Sequence, residues 1–233
     1  MPRRRAPDRL DTIVAAALAT FTAAGSRRAR MTDVAAAAGV SPGLLYTYAE
    51  SKEALFALVI RREAGTDLTA LPLPVTTPTE AELLALVRGI FAAVGSTPVL
   101  DAALAGPPAG DGADGITAEI AAVMGEQFDG ITRLRTLLRL VERCAADWPL
   151  LAREFYDGVR RPHLDRLEAY ITTRNSAGLI APVTDPAIAA RFVMETIAWF
   201  ANHRFGDHDG AALDDDAVRT EVVELLTRAL VGS

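Results

Sequence analysis

The segment from Val34 to Lys52 contains the residues whose types and spacing indicate a chemical role most clearly. Gly39 is suited to end a short helix, and Ser41 followed by Pro42 is suited to cap and begin the next one. Two helices joined by such a short glycine-containing turn form a helix-turn-helix, whose second helix enters the major groove of DNA. The chemistry predicted is therefore hydrogen bonding and apolar contact with phosphates and base edges.

Apolar residues in this segment predict how the two helices pack. Val34, Ala35 and Ala38 form the inner face of the first helix, and small alanines let the second helix cross it closely. Leu45 is the buried anchor of the second helix. The residues left to face outward are Gly43, Leu44, Tyr46, Thr47 and Tyr48.

From Val34 to Leu55 the sequence resembles the TetR family of transcriptional regulators. The family pattern is roughly Ile-Ala-x-x-Ala-Gly-Val-Ser-x-Gly-x-Leu/Ile-Tyr-x-Tyr/His-Phe-x-x-Lys-x-x-Leu, and this chain has VAAAAGVSPGLLYTYAESKEAL without a gap. The resemblance covers about residues 7–67 and implies an all-α fold. It implies a three-helix DNA-binding head over 7–67, with the helix-turn-helix at about 30–49. A larger helical body over 68–233 would bind an effector and dimerise.

The resemblance also implies a set of DNA contacts. Ser41 and the free N–H groups at the start of its helix would meet a phosphate, Leu44 a thymine methyl, and Lys52 another phosphate. At least one of Tyr46 and Tyr48 would present its hydroxyl to DNA, the alternative for each being half-buried packing. The full predicted set is Arg30, Thr32, Ser41, Pro42, Gly43, Leu44, Tyr46, Thr47, Tyr48 and Lys52.

Two positions depart from the family pattern. Ala29 and Arg30 stand where the family usually has a pair of threonines, so the cap of the next helix is expected from another residue, with Thr32 the candidate. Ala49 replaces the usual phenylalanine behind the recognition helix. Loss of that core aromatic costs about 1–3 kcal/mol if nothing refills the space.

Charge is distributed unevenly along the chain. Residues 1–66 carry ten basic and six acidic side chains, whereas residues 67–233 carry a net charge of −10, for a total of −6. A basic head on an acidic body lets only the head approach a polyanion. The basic start, Arg3, Arg4 and Arg5, is interpreted either as an arm that reaches an adjacent minor groove or as a solvated tail.

Several classes of protein are not expected. The sequence has no run of about twenty apolar residues, no apolar stretch after its basic start, and only Cys144, so it predicts a cytoplasmic protein without a disulfide. It shows no paired catalytic carboxylates, no Ser/His/Asp arrangement and no phosphate loop, so neither an enzyme nor a cofactor is predicted. His203, Asp207, His208 and Asp209 are interpreted as a solvated loop, and no metal site is predicted.

Helical periodicity extends almost throughout the chain. In the first segment, apolar residues from Leu10 to Phe21 fall on one helical face. The prolines of 71–78 predict a boundary, because proline removes a donor and clashes inside a helix. The helices predicted beyond the first are at about 31–38, 42–48, 52–67, 83–94, 116–128, 131–147, 149–175 with a bend near Pro162, 186–205 and 214–231.

The body is expected to bind a small apolar or amphipathic effector. Aromatic and polar side chains that could line its cavity are Phe91, Met124, Phe128, Trp148, Phe155, Tyr156, His163 and Phe192. The alternative for each aromatic is that it forms plain core, and His163 is also compatible with a structural or surface role.

The last two helices are expected to meet a second copy of the chain, as a helix pair does in the family. The residues predicted at this interface are Ile188, Phe192, Thr196, Trp199, Val218, Val222 and Leu226, and the alternative is an intramolecular core. The function implied is a sequence-specific, homodimeric repressor that its effector releases from a double-stranded DNA operator. An activator, or a regulator controlled by a protein partner and lacking a small-molecule pocket, is the alternative.

Overall fold

The computed structural model of the chain describes residues 7–110 and 112–232. Within these ranges the fold is all-helical and contains no β-strand. The helices are α1 (Pro7–Ala24), α2 (Met31–Ala37), α3 (Pro42–Leu45), α4 (Lys52–Glu63), α5 (Glu80–Val94), α6 (Pro98–Ala105), α7 (Gly112–Ala145), α8 (Pro149–Phe155), α9 (Arg161–Ser176), α10 (Pro186–Ala201) and α11 (Asp215–Val231). Among the residues described, no single helix is both long and apolar enough to cross a bilayer.

The middle of the chain differs from the helices predicted for it. The helices expected at 116–128 and 131–147 are one continuous helix, α7, because a single interior glycine, Gly130, costs a long helix only about 1 kcal/mol. The helix expected at 149–175 is instead α8, a π-helical turn at Tyr156–Arg160 and α9. Arg160 has helical backbone, so the three segments follow one another without a break, and Pro162, whose missing N–H interrupts the regular hydrogen bonding, lies just after the π-helical turn. The bend expected near Pro162 stays a prediction. Helix α6 was not predicted.

The starts of the last two helices match the sequence signals, whereas α10 ends at Ala201 and not near residue 205. Asp185 caps α10 by accepting hydrogen bonds from the N–H groups of Ala187 and Ile188, at 3.0 and 3.1 Å. Asp214 caps α11 by accepting from the N–H of Ala217 at 2.9 Å. In both cases a short carboxylate satisfies donors that the helix itself leaves unpaired.

The described residues form two compact units. Within the described residues, the first comprises 7–94 and Thr136–Val159, and the second comprises 95–110, 112–135 and 160–232. Helix α7 therefore contributes residues to both. The division into a DNA-binding domain of 7–67 and a body of 68–233 concerns function and stays a prediction.

The core of the first unit lies between α1 and α4 and extends onto α8 and the residues before it. On α1 the inner face is fully buried, and on α4 every residue from Ala54 to Ile60 is buried. Phe56 links these parts, since its ring packs edge-on against Phe21 at 5.4 Å and against Trp148 at 6.0 Å. The α1 residues of this core are Leu10, Ile13, Val14, Ala17 and Phe21.

The core of the second unit is built from α6, α7, α9, α10 and α11. Its main polar element is Arg174, which is buried and whose Nε donates to Glu119 Oε1 at 2.7 Å. The same guanidinium donates to the carbonyl oxygens of Ala103 and Gly106, at 2.6 and 2.9 Å. These bonds offset the cost of burying the charge and hold the end of α6.

Candidate nucleic-acid interface

Helix α2, the first helix of the predicted helix-turn-helix, is capped by an acidic residue. Arg30 has extended backbone and occupies the N-cap position, and its N–H donates to Asp33 Oδ2 at 3.1 Å. Thr32, the candidate cap, lies instead at the second position of the helix with its side chain exposed. The expectation for Thr32 as a cap was therefore wrong, because a carboxylate three residues after the N-cap reaches back to it.

The turn after α2 is closed by two backbone hydrogen bonds. Gly39 has a φ of +64°, and its N–H donates to the carbonyl of Ala36 at 3.1 Å. The N–H of Val40 donates to the carbonyl of Ala35 at 2.9 Å, which completes a Schellman motif. This geometry confirms that Gly39 ends the helix, and it requires a residue that adopts positive φ without strain.

Helix α3 is short and strongly fixed at its start. Ser41 has extended backbone, its Oγ accepts from the N–H of Leu44 at 3.2 Å, and Pro42 is the first helical residue, as the sequence predicts. The helix ends at Leu45 and not near residue 48, and a turn follows it in which Thr47 Oγ1 donates to the carbonyl of Leu44 at 2.7 Å. Leu45 is completely buried and anchors α3 to the head.

The outward face of this segment carries most of the predicted DNA contacts. Tyr46 is 49% exposed and Leu44 is 37% exposed. Gly43 has no atom within 4 Å of the place where a Cβ would stand, so the backbone here is open to a bulky ligand. Other predicted contacts with exposed side chains are Arg30, Thr32, Ser41 and Pro42.

Tyr48 does not belong to this face. Only 2% of the residue is exposed, because the turn after α3 directs it into the core of the head beside Leu45 and Ala49. The expectation that Tyr48 faces outward was wrong. Tyr48 follows Leu45 by three residues, a spacing that places two side chains on the same side of a helical turn, and its N–H donates to the carbonyl of Leu45 at 2.9 Å.

The space behind α3 is closed by a part of the chain that the sequence predicted only as a boundary. Ala49 and Val75 form an isolated parallel β-bridge. The N–H of Val75 donates to the carbonyl of Tyr48 at 2.9 Å, and the N–H of Glu50 donates to the carbonyl of Val75 at 3.0 Å. Ala49 is fully buried, so replacing the usual phenylalanine leaves no opening to solvent at this position. No local sequence signal predicts this pairing.

Lys52 begins α4, as predicted, and its amine is held close to the corner between α1 and α2. Ser51 caps the helix by accepting from the N–H of Ala54 at 3.1 Å. Lys52 Nζ donates to the carbonyl of Arg27 at 3.2 Å. The side chains of Arg27, Arg28 and Arg30 are exposed in the same stretch, whereas Arg3, Arg4 and Arg5 lie outside the described residues. Positive charge is thus concentrated beside α2 and α3.

The residues predicted to line an effector cavity fall into two groups. Phe91, Trp148, Phe155 and Tyr156 belong to the first unit, where the rings of Phe91 and Phe155 pack at 5.5 Å. Tyr156 is 42% exposed. Met124, Phe128, His163 and Phe192 belong to the second unit, in which Met124 and Phe128 are part of the buried core.

His163 is paired with a residue that the sequence did not single out. Its Nε2 lies 2.6 Å from Oε1 of the buried Gln127. Burial, with a smaller contribution from Arg166, lowers the pKa of His163 to about 4. The ring is therefore neutral at pH 7, and its Nε2–H donates to the amide oxygen. The amide nitrogen of Gln127 is buried and makes no hydrogen bond within the described part of the chain.

The residues predicted at a dimer interface fall into an exposed group on α10 and a buried group on α11. Ile188 and Phe192 on α10 are 68% and 62% exposed, and Trp199 is exposed on the same helix with Thr196 half-buried. Val218, Val222 and Leu226 on α11 instead point into the core of the second unit. For these three the expectation of a surface position was wrong, because α11 buries its most regular apolar stripe within its own chain.

The sequence comparison confirms the resemblance inferred for the head. Residues 13–59 match the family model described as bacterial regulatory proteins, tetR family. This range contains all of α2 and α3 and most of α1 and α4. No curated protein of similar sequence matches the chain.

Solved structures share the fold over nearly the whole chain. The ketosteroid transcriptional regulator KstR2 of Mycobacterium tuberculosis aligns with a TM-score of 0.55 and 14% identity, covering 98% of each chain. AibR, solved in complex with isovaleryl coenzyme A and operator DNA, aligns with a TM-score of 0.53 and 18% identity, covering 94% of this chain and 98% of its own. The all-α, TetR-like fold predicted from the sequence is confirmed.

Proposed function

We propose that this chain, a DNA-binding transcriptional regulator with a TetR-type head, represses transcription as a homodimer until a small molecule releases it from its operator. The observation that carries the proposal is the exposed face of α3. Leu44 lies on a four-residue helix that Ser41 caps and Leu45 anchors, Tyr46 directly follows this helix, and both side chains are exposed. A fixed backbone with exposed contact residues is what direct readout in the major groove requires.

The roles we assign on this face follow from side-chain chemistry. Leu44 makes apolar contact with a thymine methyl, and the hydroxyl of Tyr46 donates to or accepts from a base edge or phosphate. Arg30, Thr32, Ser41, Thr47 and Lys52 bind phosphates, and Pro42 and Gly43 let the backbone approach the duplex. Tyr48 supports this surface from the core and makes no contact with DNA. Since DNA is its target, we expect the protein to act in the cytoplasm.

We propose that the dimer forms through the outer face of α10. Ile188, Phe192, Thr196 and Trp199 are spaced at i, i+4, i+8 and i+11 and therefore lie along one side of the helix. A row of large exposed apolar side chains is costly in water and is typical of an association surface. A two-fold dimer would carry two recognition helices, which bind successive half-sites when they are about 34–36 Å apart.

The effector we propose is an apolar or amphipathic molecule with an uncharged polar group. In the second unit, Gln127 follows Met124 by three residues on α7, and its buried amide nitrogen has no hydrogen-bond partner among the described residues. A buried donor left unpaired costs about 1–3 kcal/mol, so an acceptor that binds there is favoured. AibR binds isovaleryl coenzyme A, and we propose an acyl-bearing ligand as the first candidate class.

The proposal is tested by fluorescence anisotropy with labelled DNA from the region flanking this protein's gene. We expect specific binding whose affinity falls with salt, and Lys52→Met should reduce the slope of log K against log salt by about one. Binding equal to that of scrambled DNA would refute the central claim.

The mode of regulation is tested separately. In transcription reconstituted from the bound promoter, a repressor lowers the transcript and an acyl ligand restores it. An increase in transcript on binding would instead identify an activator. Binding that no small molecule alters, together with a filled core in the second unit, would favour control by a protein partner.

A further inference from the structure

The end of α1 is capped by a residue more than one hundred positions away in the sequence. Arg143, in the last turn of α7, donates from Nη2 to the carbonyl of Ala24 at 2.6 Å and from Nε to the carbonyl of Ala23 at 3.4 Å. The last turn of α1 contains no basic residue of its own. The carbonyl of Ala24 also accepts from Arg28 Nε at 3.1 Å. The two guanidinium groups together satisfy carbonyls that the helix leaves unpaired and place positive charge at the negative end of its dipole.

The corner that follows α1 is closed against the same side chain. Gly25 is buried with a φ of +82°, and a Cβ at this position would lie 2.6 Å from Asp147 Oδ2 and 2.9 Å from Arg143 Nη1. Both oxygens of Asp147 are buried, and Oδ2 lies 3.9 Å from Arg143 Nη1 and from Arg28 Nε. One carboxylate is thus held between a guanidinium of α7 and one of the corner.

The neighbours of Arg143 in sequence reinforce this attachment. Cys144 is fully buried, and its thiol lies 4.0 Å from the carbonyl of Phe21 on α1. Burial raises the pKa of this thiol to about 11, so it stays protonated and acts as a packing group. Trp148 packs on Phe56 and donates from Nε1 to Glu80 Oε1 at 2.8 Å. These contacts all lie within the first unit.

Two of the proposed DNA contacts, Arg30 and Lys52, are attached to the corner that Arg143 holds. Arg30 is the N-cap of α2 and directly follows the corner Gly25–Ala29, and the carbonyl of Arg27 accepts the hydrogen bond from Lys52. Movement of the corner would therefore shift the start of α2 and the amine of Lys52 together. A binding surface that is held in its bound shape before contact loses less entropy on binding.

We propose that Arg143 is a positioning residue for DNA recognition, which acts through its hydrogen bonds to the end of α1 to fix the corner Gly25–Ala29. Arg143 itself makes no contact with DNA in this proposal. The inference rests on the proposed operator binding, and the experiments are chosen so that the two can fail separately.

The first experiment compares Arg143→Lys with Arg88→Lys. Arg88 is a matched control because it belongs to the same unit and forms a bidentate ion pair away from the corner. Its Nε and Nη2 donate to Glu154 Oε1 and Oε2, at 2.5 and 2.8 Å. Both variants keep the positive charge but lose the pair of hydrogen bonds that the planar guanidinium makes. We expect operator affinity to fall about five- to tenfold in Arg143→Lys, the effect of one or two lost hydrogen bonds, and less than about twofold in Arg88→Lys.

The second experiment compares Gly25→Ala with Gly65→Ala. Both glycines have positive φ, +82° and +79°, so both substitutions strain the backbone similarly. At Gly65 nothing lies within 4 Å of the added Cβ, whereas at Gly25 it meets Asp147 and Arg143. We expect a loss of operator affinity of about tenfold or more for Gly25→Ala only, because only this change displaces the corner.

Affinities are measured where circular dichroism shows every variant fully folded, so that a loss of stability alone does not lower them. Amide hydrogen exchange without DNA adds a second readout: Arg143→Lys should accelerate exchange from Ser26 to Val34, and Arg88→Lys should not. Equal affinities and equal exchange for both arginine variants would overturn the inference while wild-type binding stands. Failure of the wild type to bind any operator would refute the proposed function, and unchanged exchange in Arg143→Lys would then refute the inference as well.

Discussion

The two tyrosines after α3 provide the sharpest test of the proposed interface, because they are two residues apart and differ strongly in exposure. Tyr46 is 49% exposed and Tyr48 is 2% exposed. Changing each to phenylalanine removes a single hydroxyl and keeps the ring. If Tyr46 presents its hydroxyl to DNA, Tyr46→Phe should weaken operator binding and leave the folded state unchanged. Tyr48→Phe should change stability at most and leave affinity alone.

The expected size follows from the environment of each hydroxyl. One hydrogen bond between neutral partners contributes about 0.5–1.5 kcal/mol, so Tyr46→Phe should raise the Kd about two- to twelvefold. If the partner of Tyr46 is a phosphate, the bond is charge-assisted and the loss should lie near the upper end of that range. For Tyr48→Phe we expect a change in Kd below about twofold, since a side chain buried in the head has no access to DNA.

The assay is fluorescence anisotropy on the operator at two salt concentrations, with denaturant unfolding of both variants in parallel. The salt slope should stay unchanged in both, because neither variant removes a positive charge. Unchanged affinity in Tyr46→Phe would refute the role of Tyr46 as a hydrogen-bonding contact. Weaker binding in Tyr48→Phe at full folding would refute the assignment of Tyr48 to the core.

Further predictions concern the turn, the dimer and the buried histidine. Gly39→Ala should lower the free energy of unfolding by about 1–2 kcal/mol, because its φ of +64° strains any residue with a Cβ, and Gly39→Asn should lower it less; denaturant titration compares the two. Phe192→Glu should leave a folded monomer in sedimentation velocity, whereas Val222→Glu, which places a charge in the core, should unfold the chain; a folded dimer in Phe192→Glu would contradict the proposed interface. The pKa of His163 is lowered from 6.5 to about 4, so the native state binds fewer protons than the unfolded state between these pH values and stability should fall as pH drops through that range. His163→Gln should remove this part of the pH dependence, as followed by thermal unfolding at pH 7 and pH 4.5.

The local parts of the site could be predicted from sequence because their causes are local. Gly39, Ser41 and Pro42 act on their own backbone or on residues three positions away, and the structure places each as predicted. The cap of α2 could also have been found, since Asp33 stands three residues after Arg30 in the spacing of a capping box. The family's usual threonine pair suggests Thr32 as the cap, whereas in this chain the carboxylate of Asp33 makes the bond.

The sequence predictions that were wrong concern the length of helices and the side on which an apolar residue lies. The helices predicted at 116–128 and 131–147 are one helix, because the apolar stripe of α7 continues on both sides of Gly130 and outweighs the cost of one glycine. Tyr48, expected to face outward, stands three residues after the buried Leu45 and shares its buried side. Periodicity shows that a side of a helix is apolar, but it does not show whether that side meets its own chain, as Val222 does, or a second copy.

The motif that identifies the head also depends on residues that no head pattern contains. Val75 pairs with the backbone behind α3, Trp148 covers Phe56, and Arg143 caps α1. Each of these residues lies outside residues 13–59, where the family match ends. A pattern of local residues cannot contain these three, because each reaches the head from a distant part of the chain. Ala49 is fully buried here because the backbone of Val75 runs beside it.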